Sequence, residues 1–244
     1  MFTGLGCDVA ALNSYLKAHS IDTSRLFTID LICYGPALPE IHRQYIENLE
    51  AKYRSRIKSF SVRHKYKGWT PKYIRAEFED SREFLAPFDD TDYGQAFGQF
   101  TREGCYACRF KGAGHQADIT VGDYWGLTPE MPGWNDNGVS VLLVRTEKGE
   151  ALLERIDPQE FTVRTADAEF VIEHNPMYYK SREKPQDYKK FCDDLSSAGL
   201  HRAIVNHNGG VLKYTAIRAK KTLKKIVPSS MKQFIKRILR ACRY

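Results

Sequence analysis

The apolar positions of this chain change period several times, and each change marks an element. Met1 to Thr3 reads as the end of a strand, closed by a tight Gly4-Leu5-Gly6-Cys7 turn. A helix with Val9, Leu12 and Leu16 on one face follows. The run Leu26-Phe27-Thr28-Ile29-Asp30-Leu31-Ile32 suits a buried strand that ends at Cys33-Tyr34-Gly35-Pro36. Pro39 fits the first turn of a second helix, with Ile41, Tyr45, Leu49 and Tyr53 on one side. Strand–helix–strand–helix at this spacing predicts parallel pairing through a crossover. Alternation at Phe60 and Val62, then at Ile74, Ala76 and Phe78, predicts two strands joined around Lys67-Gly68-Trp69. A short helix over 93–100 should lead into the Cys105-Tyr106-Ala107-Cys108 loop. Strands are expected over 118–121 and 139–146, and helices over 148–156 and 185–195. The fold class is α/β: a partly parallel mixed sheet with flanking helices, plus a basic helical tail at the C-terminus.

The domain should span 1–195, with a linker over 196–210 and the tail over 211–244. In the tail, Leu212, Ala216, Ala219, Leu223 and Ile226 recur at helical spacing. Pro228 breaks the pattern, and Ser229-Ser230 can cap a second helix with Met231, Phe234, Ile235, Ile238, Leu239 and Cys242 on one stripe.

Charge sharpens this division. The net charge of +7 hides an asymmetry: residues 211–244 hold eleven Lys or Arg and no acid, leaving 26 basic against 30 acidic residues, or −4, over 1–210. Basicity confined to a tail argues against nucleic-acid binding by the body of the protein. A basic amphipathic helix instead fits an anionic membrane surface, or docking on protein with a solvated basic face. With 42% hydrophobic residues, no apolar run near the roughly 20 residues of a membrane span and no signal-peptide pattern, the chain is expected to be cytoplasmic, with a peripheral position at the inner face of the membrane through its tail.

In that compartment the six cysteines are better read as ligands or thiols than as disulfides. Cys7 and Cys33 each follow a predicted parallel strand, and the carboxyl ends of such strands share one rim where ligands bind. Cys105 and Cys108 form a C-x-x-C pair that can direct two thiolates to one centre. Four thiolates suffice for a 4Fe–4S cluster or for zinc; spacing alone leaves buried structural or redox thiols equally open. Cys192 is expected as helix packing. Gly4-x-Gly6 does not continue as a dinucleotide fingerprint, because Val9 stands where Gly or Ala belongs. Its glycines fit close backbone approach around Cys7.

Several ordered segments then point further. Phe2-Thr3-Gly4-Leu5-Gly6-Cys7, Asp30-Leu31-Ile32-Cys33-Tyr34-Gly35, Arg63 to Trp69, Cys105 to Lys111, and Asp118 to Gly126 resemble motifs of the coenzyme F-420 hydrogenase/dehydrogenase beta-subunit family, in its C-terminal domain. The likeness covers roughly residues 1–195. It implies an iron–sulfur flavoprotein that passes electrons between a cluster, a flavin such as FAD and a partner or deazaflavin-like acceptor. Some bacterial relatives are linked to polysaccharide assembly. The resemblance puts the 4Fe–4S ligands at Cys7, Cys33, Cys105 and Cys108, and flavin contacts at Gly4, Gly6, Arg63, Lys65, Trp69 and Asp123. The bland reading of the last four is a charged strand edge, a half-buried Trp and a turn cap. His64 and His115 stay open between surface residues and proton donors.

Two departures shape the expectation. Relatives usually carry an N-terminal ferredoxin-like segment, whereas this sequence begins within the strand before Cys7; three readings stay open, a fragment, a split protein, or a flavin wall supplied by a redox partner or ferredoxin-like domain. Leu5-Gly6 also stands where the family has Thr-Pro, and Asp8 where it has Gln. The alternative is a non-catalytic interaction module, zinc-stabilised and tethered at the membrane surface.

Overall fold

The computed structural model describes residues 1–226. Backbone contacts divide it into two units, Met1–Pro185 and the residues from Gln186 onward. In chain order the first unit runs β1 (Phe2–Thr3), α1 (Gly6–Ala18), β2 (Thr28–Leu31), α2 (Pro39–Tyr53), β3 (Ile57–His64), β4 (Tyr73–Phe78), β5 (Glu83–Pro87), α3 (Asp92–Phe97), β6 (Ile119–Asp123), β7 (Ser140–Val144), α4 (Glu147–Leu153) and α5 (Ala168–His174).

One sheet has the order β1-β2-β6-β7, and the other β3-β4-β5. The expected parallel pairing holds: β1 runs parallel to β2, and β2 to β6, while β7 closes the sheet antiparallel. The carboxyl ends of three strands therefore lie along one edge, and from it extend the Gly4–Cys7 turn, Cys33 and Asp123. Register sets which side chains share a face. Asp30 pairs with Thr120, and Thr120 with Leu143, so these three and Ile32 look toward the same layer. There Ile32, Val141 and Val171 form a core, with Tyr124, Leu143, Met177 and Tyr178 packed on it. Gly122 belongs to this layer because a Cβ there would stand 2.7 Å from Ile32 Cδ1.

The second sheet is antiparallel throughout. Its middle strand alternates strictly, burying Ile74, Ala76 and Phe78 as the period-2 pattern requires. Strand β5 adds to the two strands that the sequence pattern predicts: Glu83–Pro87 has no clean alternation and gains its order from pairing with β4. Likewise β2 is shorter than the apolar run that predicts it, because Leu26 donates its N–H to Thr23 O at 3.0 Å and closes a turn.

The second unit contains α6 (Tyr188–Ala198), α7 (Leu200–His207) and α8 (Val211–Ile226). Helix α7 falls where the sequence pattern suggests a linker over 196–210. Gly199, at φ +86°, turns the chain after α6, and the helix resumes at once with Leu200, Ala203, Ile204 and Val205 buried. Helix α8 follows the predicted period, but over residues 211–220, whose side chains are described, Tyr214 is the buried one, while Leu212 is 87% exposed. The helix expected after Ser229 lies outside the described residues. None of the described helices is long and apolar enough to cross a membrane.

Candidate functional site

The site grows from three turns. Leu5 caps α1, and its N–H donates to Asp8 Oδ2 at 2.9 Å, fixing the turn that presents Cys7. Gly6 is there for closeness: a Cβ would sit 3.3 Å from Phe110 Cβ and 3.4 Å from Asp30 Oδ2. What Gly6 makes room for is thus the chain following the C-x-x-C pair. At Gly4, a Cβ would approach Asp8 Cβ to 3.0 Å. After β2, Gly35 adopts φ +84°, which lets its N–H donate to Cys33 Sγ at 3.2 Å. A Cβ on Gly35 would also stand 3.2 Å from Cys105 Cβ, so the second and third turns pack directly together.

Cys7, Cys33, Cys105 and Cys108 are all free thiols, exposed at Cys7 and half-buried at the other three. Burial pushes the Cys105 thiol up, and the charges of Cys33, Cys108 and Cys7 push it further. Cys7 is raised by burial first, then by Asp8, Cys33 and Cys108, against a lowering backbone hydrogen bond. Sulfurs from three segments therefore share one electrostatic neighbourhood. Among the described residues, however, no group of three or more His, Cys, Asp or Glu is arranged to hold a metal ion. Lys111 braces the site from below, donating from Nζ to Cys33 O and, at 2.6 Å, to Met177 O. Burial lowers its pKa, and the thiolates of Cys33, Cys108 and Cys105 oppose that shift. The Cys108 N–H donates to Ser181 Oγ at 3.1 Å.

A second cluster lies at the end of β6. Arg63 Nη2 meets Asp123 Oδ2 at 2.7 Å, tying β3 to the carboxyl edge of the first sheet. Trp69 packs on Trp125 with ring centroids 4.4 Å apart, and Lys72 Nζ stands 5.2 Å from the Trp125 ring. Burial, then Arg63, lowers the Lys72 pKa. Lys65 points elsewhere, donating to Asn137 O at 2.6 Å. Trp69, Trp134, Lys67, Asp136 and Asn137 line a cavity of about 450 Å³. The bridge between the two clusters is Tyr34, beside Cys33. Its ring lies 5.3 Å from the Arg182 guanidinium, and burial raises its pKa, with Arg182, Asp123 and Arg63 as the nearby charges.

Sequence reasoning misses Lys72, Arg182 and the role of Lys111. Lys111 stands within the C-x-x-C segment quoted above, so a signal exists; nothing local in sequence marks the other two. Cys192 is half-buried on α6. His64 is half-buried at the end of β3, while His115 is buried against Asp30.

The curated proteins include no match to this chain. Residues 1–169 match a family model that describes the C terminus of the beta subunit of coenzyme F420 hydrogenase/dehydrogenase. That is well over half of the 244 residues. The chain therefore belongs to the coenzyme F420 hydrogenase/dehydrogenase beta-subunit family, in its C-terminal part, and is an oxidoreductase subunit.

Proposed function

We propose that Cys7, Cys33, Cys105 and Cys108 hold a 4Fe–4S cluster, and that the chain passes electrons between that cluster, a flavin and a partner protein or deazaflavin-like acceptor. The observation that carries this reading is that three turns bring their thiols together: Gly35 packs the Cys33 turn on Cys105, and burial first, then neighbouring thiols, raise the Cys7 and Cys105 pKa values. Such an arrangement is costly for the free thiolates, and a cationic centre relieves the cost. Zinc would draw its sulfurs to about 3.8 Å of one another, as tetrahedral bonds of about 2.3 Å require. A cubane carries its irons at separate corners and takes four thiolates held further apart. When bound, the cluster supplies a one-electron store. The residues around it tune that store: Gly35 N–H donates to Cys33 Sγ, and Lys111 adds positive charge beneath.

For the flavin, Trp69 offers an indole in the wall of a ring-sized cavity, and the Arg63–Asp123 pair offers charge at the end of β6. Lys65 holds Asn137, which lines that cavity, while Gly4 and Gly6 serve the close packing of the Cys7 turn. FAD bound here would be completed by a redox partner or ferredoxin-like domain. The basic segment 211–244 would hold the assembly at an anionic membrane surface, on the inner face; exposed Val211 and Leu212 on α8 support this.

An absorbance spectrum of protein purified without oxygen tests the reading. A broad band near ~400 nm that bleaches on reduction is expected, with flavin bands after FAD is added. A colourless, zinc-containing protein would favour a structural module instead.

A further inference from the structure

Around Tyr34, three cations stand against one carboxylate. Arg63 meets Asp123 Oδ2 at 2.7 Å, whereas the half-buried Lys72 and Arg182 form no ion pair with any described residue. Arg182 Nε is buried without a hydrogen-bond partner among the described residues. Each of these two cations lies near an aromatic ring instead. Lys72 Nζ is 5.2 Å from the Trp125 centroid, and the Arg182 guanidinium is 5.3 Å from that of Tyr34. A ring face attracts a cation but offers no lone pair to its N–H groups. Drawing such donors out of water without an acceptor costs stability and returns nothing to the fold. Burial first, then Arg63, lowers the Lys72 pKa, and Asp123 and Asp89 oppose that shift only in part. This is the sign expected of a cation short of counter-charge.

We infer that Arg63, Lys72 and Arg182, arranged about Tyr34, bind a phosphomonoester dianion. The site requires neither cluster nor flavin, although Arg63 and Asp123 also enter the flavin reading. Position supports it. Tyr34 follows β2 and Asp123 ends β6, two parallel neighbours whose carboxyl ends form the edge where such sheets bind their ligands. The groups are close enough to act on one another. Arg182, Asp123 and Arg63 are the charges felt at Tyr34, and Arg63 and Asp123 are the main ones felt at Lys72.

Charge selects the ligand class. Three cations less the Asp123 carboxylate leave two positive charges. Asp89, the weakest of the charges acting on Lys72, and Lys111, tied to two carbonyls and acting with Arg182, add one charge of each sign and cancel. A phosphomonoester carries roughly −1.5 to −2 near neutral pH and matches the remainder. A carboxylate or a phosphodiester, with a single charge, leaves one cation unmatched. The donors suit the same group. A guanidinium fork fits two phosphate oxygens, a lysine supplies a point charge, and the Tyr34 hydroxyl is a further donor.

Titration of the full chain with methyl phosphate, followed by phosphorus NMR, tests the inference, with the monoanion dimethyl phosphate as the comparison. Methyl phosphate should bind about tenfold more tightly than dimethyl phosphate, and added salt should weaken it. Lys72→Gln and Arg182→Gln should each weaken binding by about tenfold. Arg182→Lys keeps the charge, should lose less, and serves where Arg182→Gln does not fold. Lys58→Gln, at an exposed position of β3, should change nothing. Displacement of methyl phosphate by FMN but not by riboflavin places the phosphate of a flavin mononucleotide in the site. Displacement by glycerol phosphate but not by FMN places a smaller, non-flavin ester there, and either result upholds the site. No binding of methyl phosphate, equal affinity for the two phosphates, or unchanged affinity in both Gln variants overturns it while leaving the cluster and flavin readings intact.

Discussion

Arg63 and Asp123 join the two sheets of the first unit by a 2.7 Å ion pair at the carboxyl edge where Cys33 also emerges. Arg63 is 55% exposed on its side chain, so the pair should contribute no more than ~1 kcal/mol to stability. If it serves instead to hold an anionic flavin group, Arg63→Ala should weaken FAD binding by about tenfold, or ~1.4 kcal/mol. Fluorescence titration beside urea unfolding separates the two roles. A loss of stability with unchanged FAD affinity would reduce the pair to a strut.

The thiols give a pH signature in the metal-free chain. The Cys7 and Cys105 pKa values are raised, by burial first, then by Asp8 and neighbouring thiols at Cys7 and by neighbouring thiols at Cys105. The folded state then binds more protons than the unfolded one as pH climbs from the ordinary thiol value of about 8.5 toward the raised values. Stability should be fully present below that range and fall through it. Thermal unfolding at several pH values checks the sign. Cys33→Ser removes one of the charges acting on Cys7, so iodoacetamide should alkylate Cys7 faster near pH 8 in that variant; slower alkylation would contradict the coupling.

Gly35 has two tasks that a side chain defeats. At φ +84° an Ala costs about 1–2 kcal/mol, and its Cβ would stand 3.0 Å from Thr101 Cγ2 and 3.2 Å from Cys105 Cβ. Gly35→Ala should therefore lower stability by at least that much and reduce iron loading. Gly104→Ala, where none of the described residues comes within 4 Å of the added Cβ, should leave packing undisturbed. Equal iron content in both variants would show that the Cys33–Cys105 contact is not needed.

The tail prediction rests on charge. Eleven basic residues without an acid in 211–244 should bind anionic vesicles, each nearby charge adding about 1 kcal/mol, and binding should weaken as salt screens them. Equal binding to neutral vesicles would assign the tail to protein contacts.

The parallel edge is legible in the sequence because its cues are local: Gly4 to Cys7 and Cys33 to Gly35 are turns that end apolar runs, and such runs pair predictably. The C-x-x-C loop announces itself by spacing. Strand β5 is not legible, since Glu83–Pro87 lacks clean alternation and gains its order from the hairpin with β4; α7 is a helix of eight residues that packs on the preceding α6. Nor are His115 and Asp30, 85 residues apart, whose union only the folded sheet creates. The tail period predicts α8, but not that Tyr214 is buried and Leu212 exposed.

Iron and acid-labile sulfide, counted per chain in anaerobically purified protein and in four single Cys→Ser variants at Cys7, Cys33, Cys105 and Cys108, test the central claim most directly. The account predicts about four of each per unsubstituted chain, a joint loss in every one of the four variants, and no change in Cys192→Ser. Stoichiometric zinc without sulfide, or iron and sulfide retained in all four variants, would contradict it.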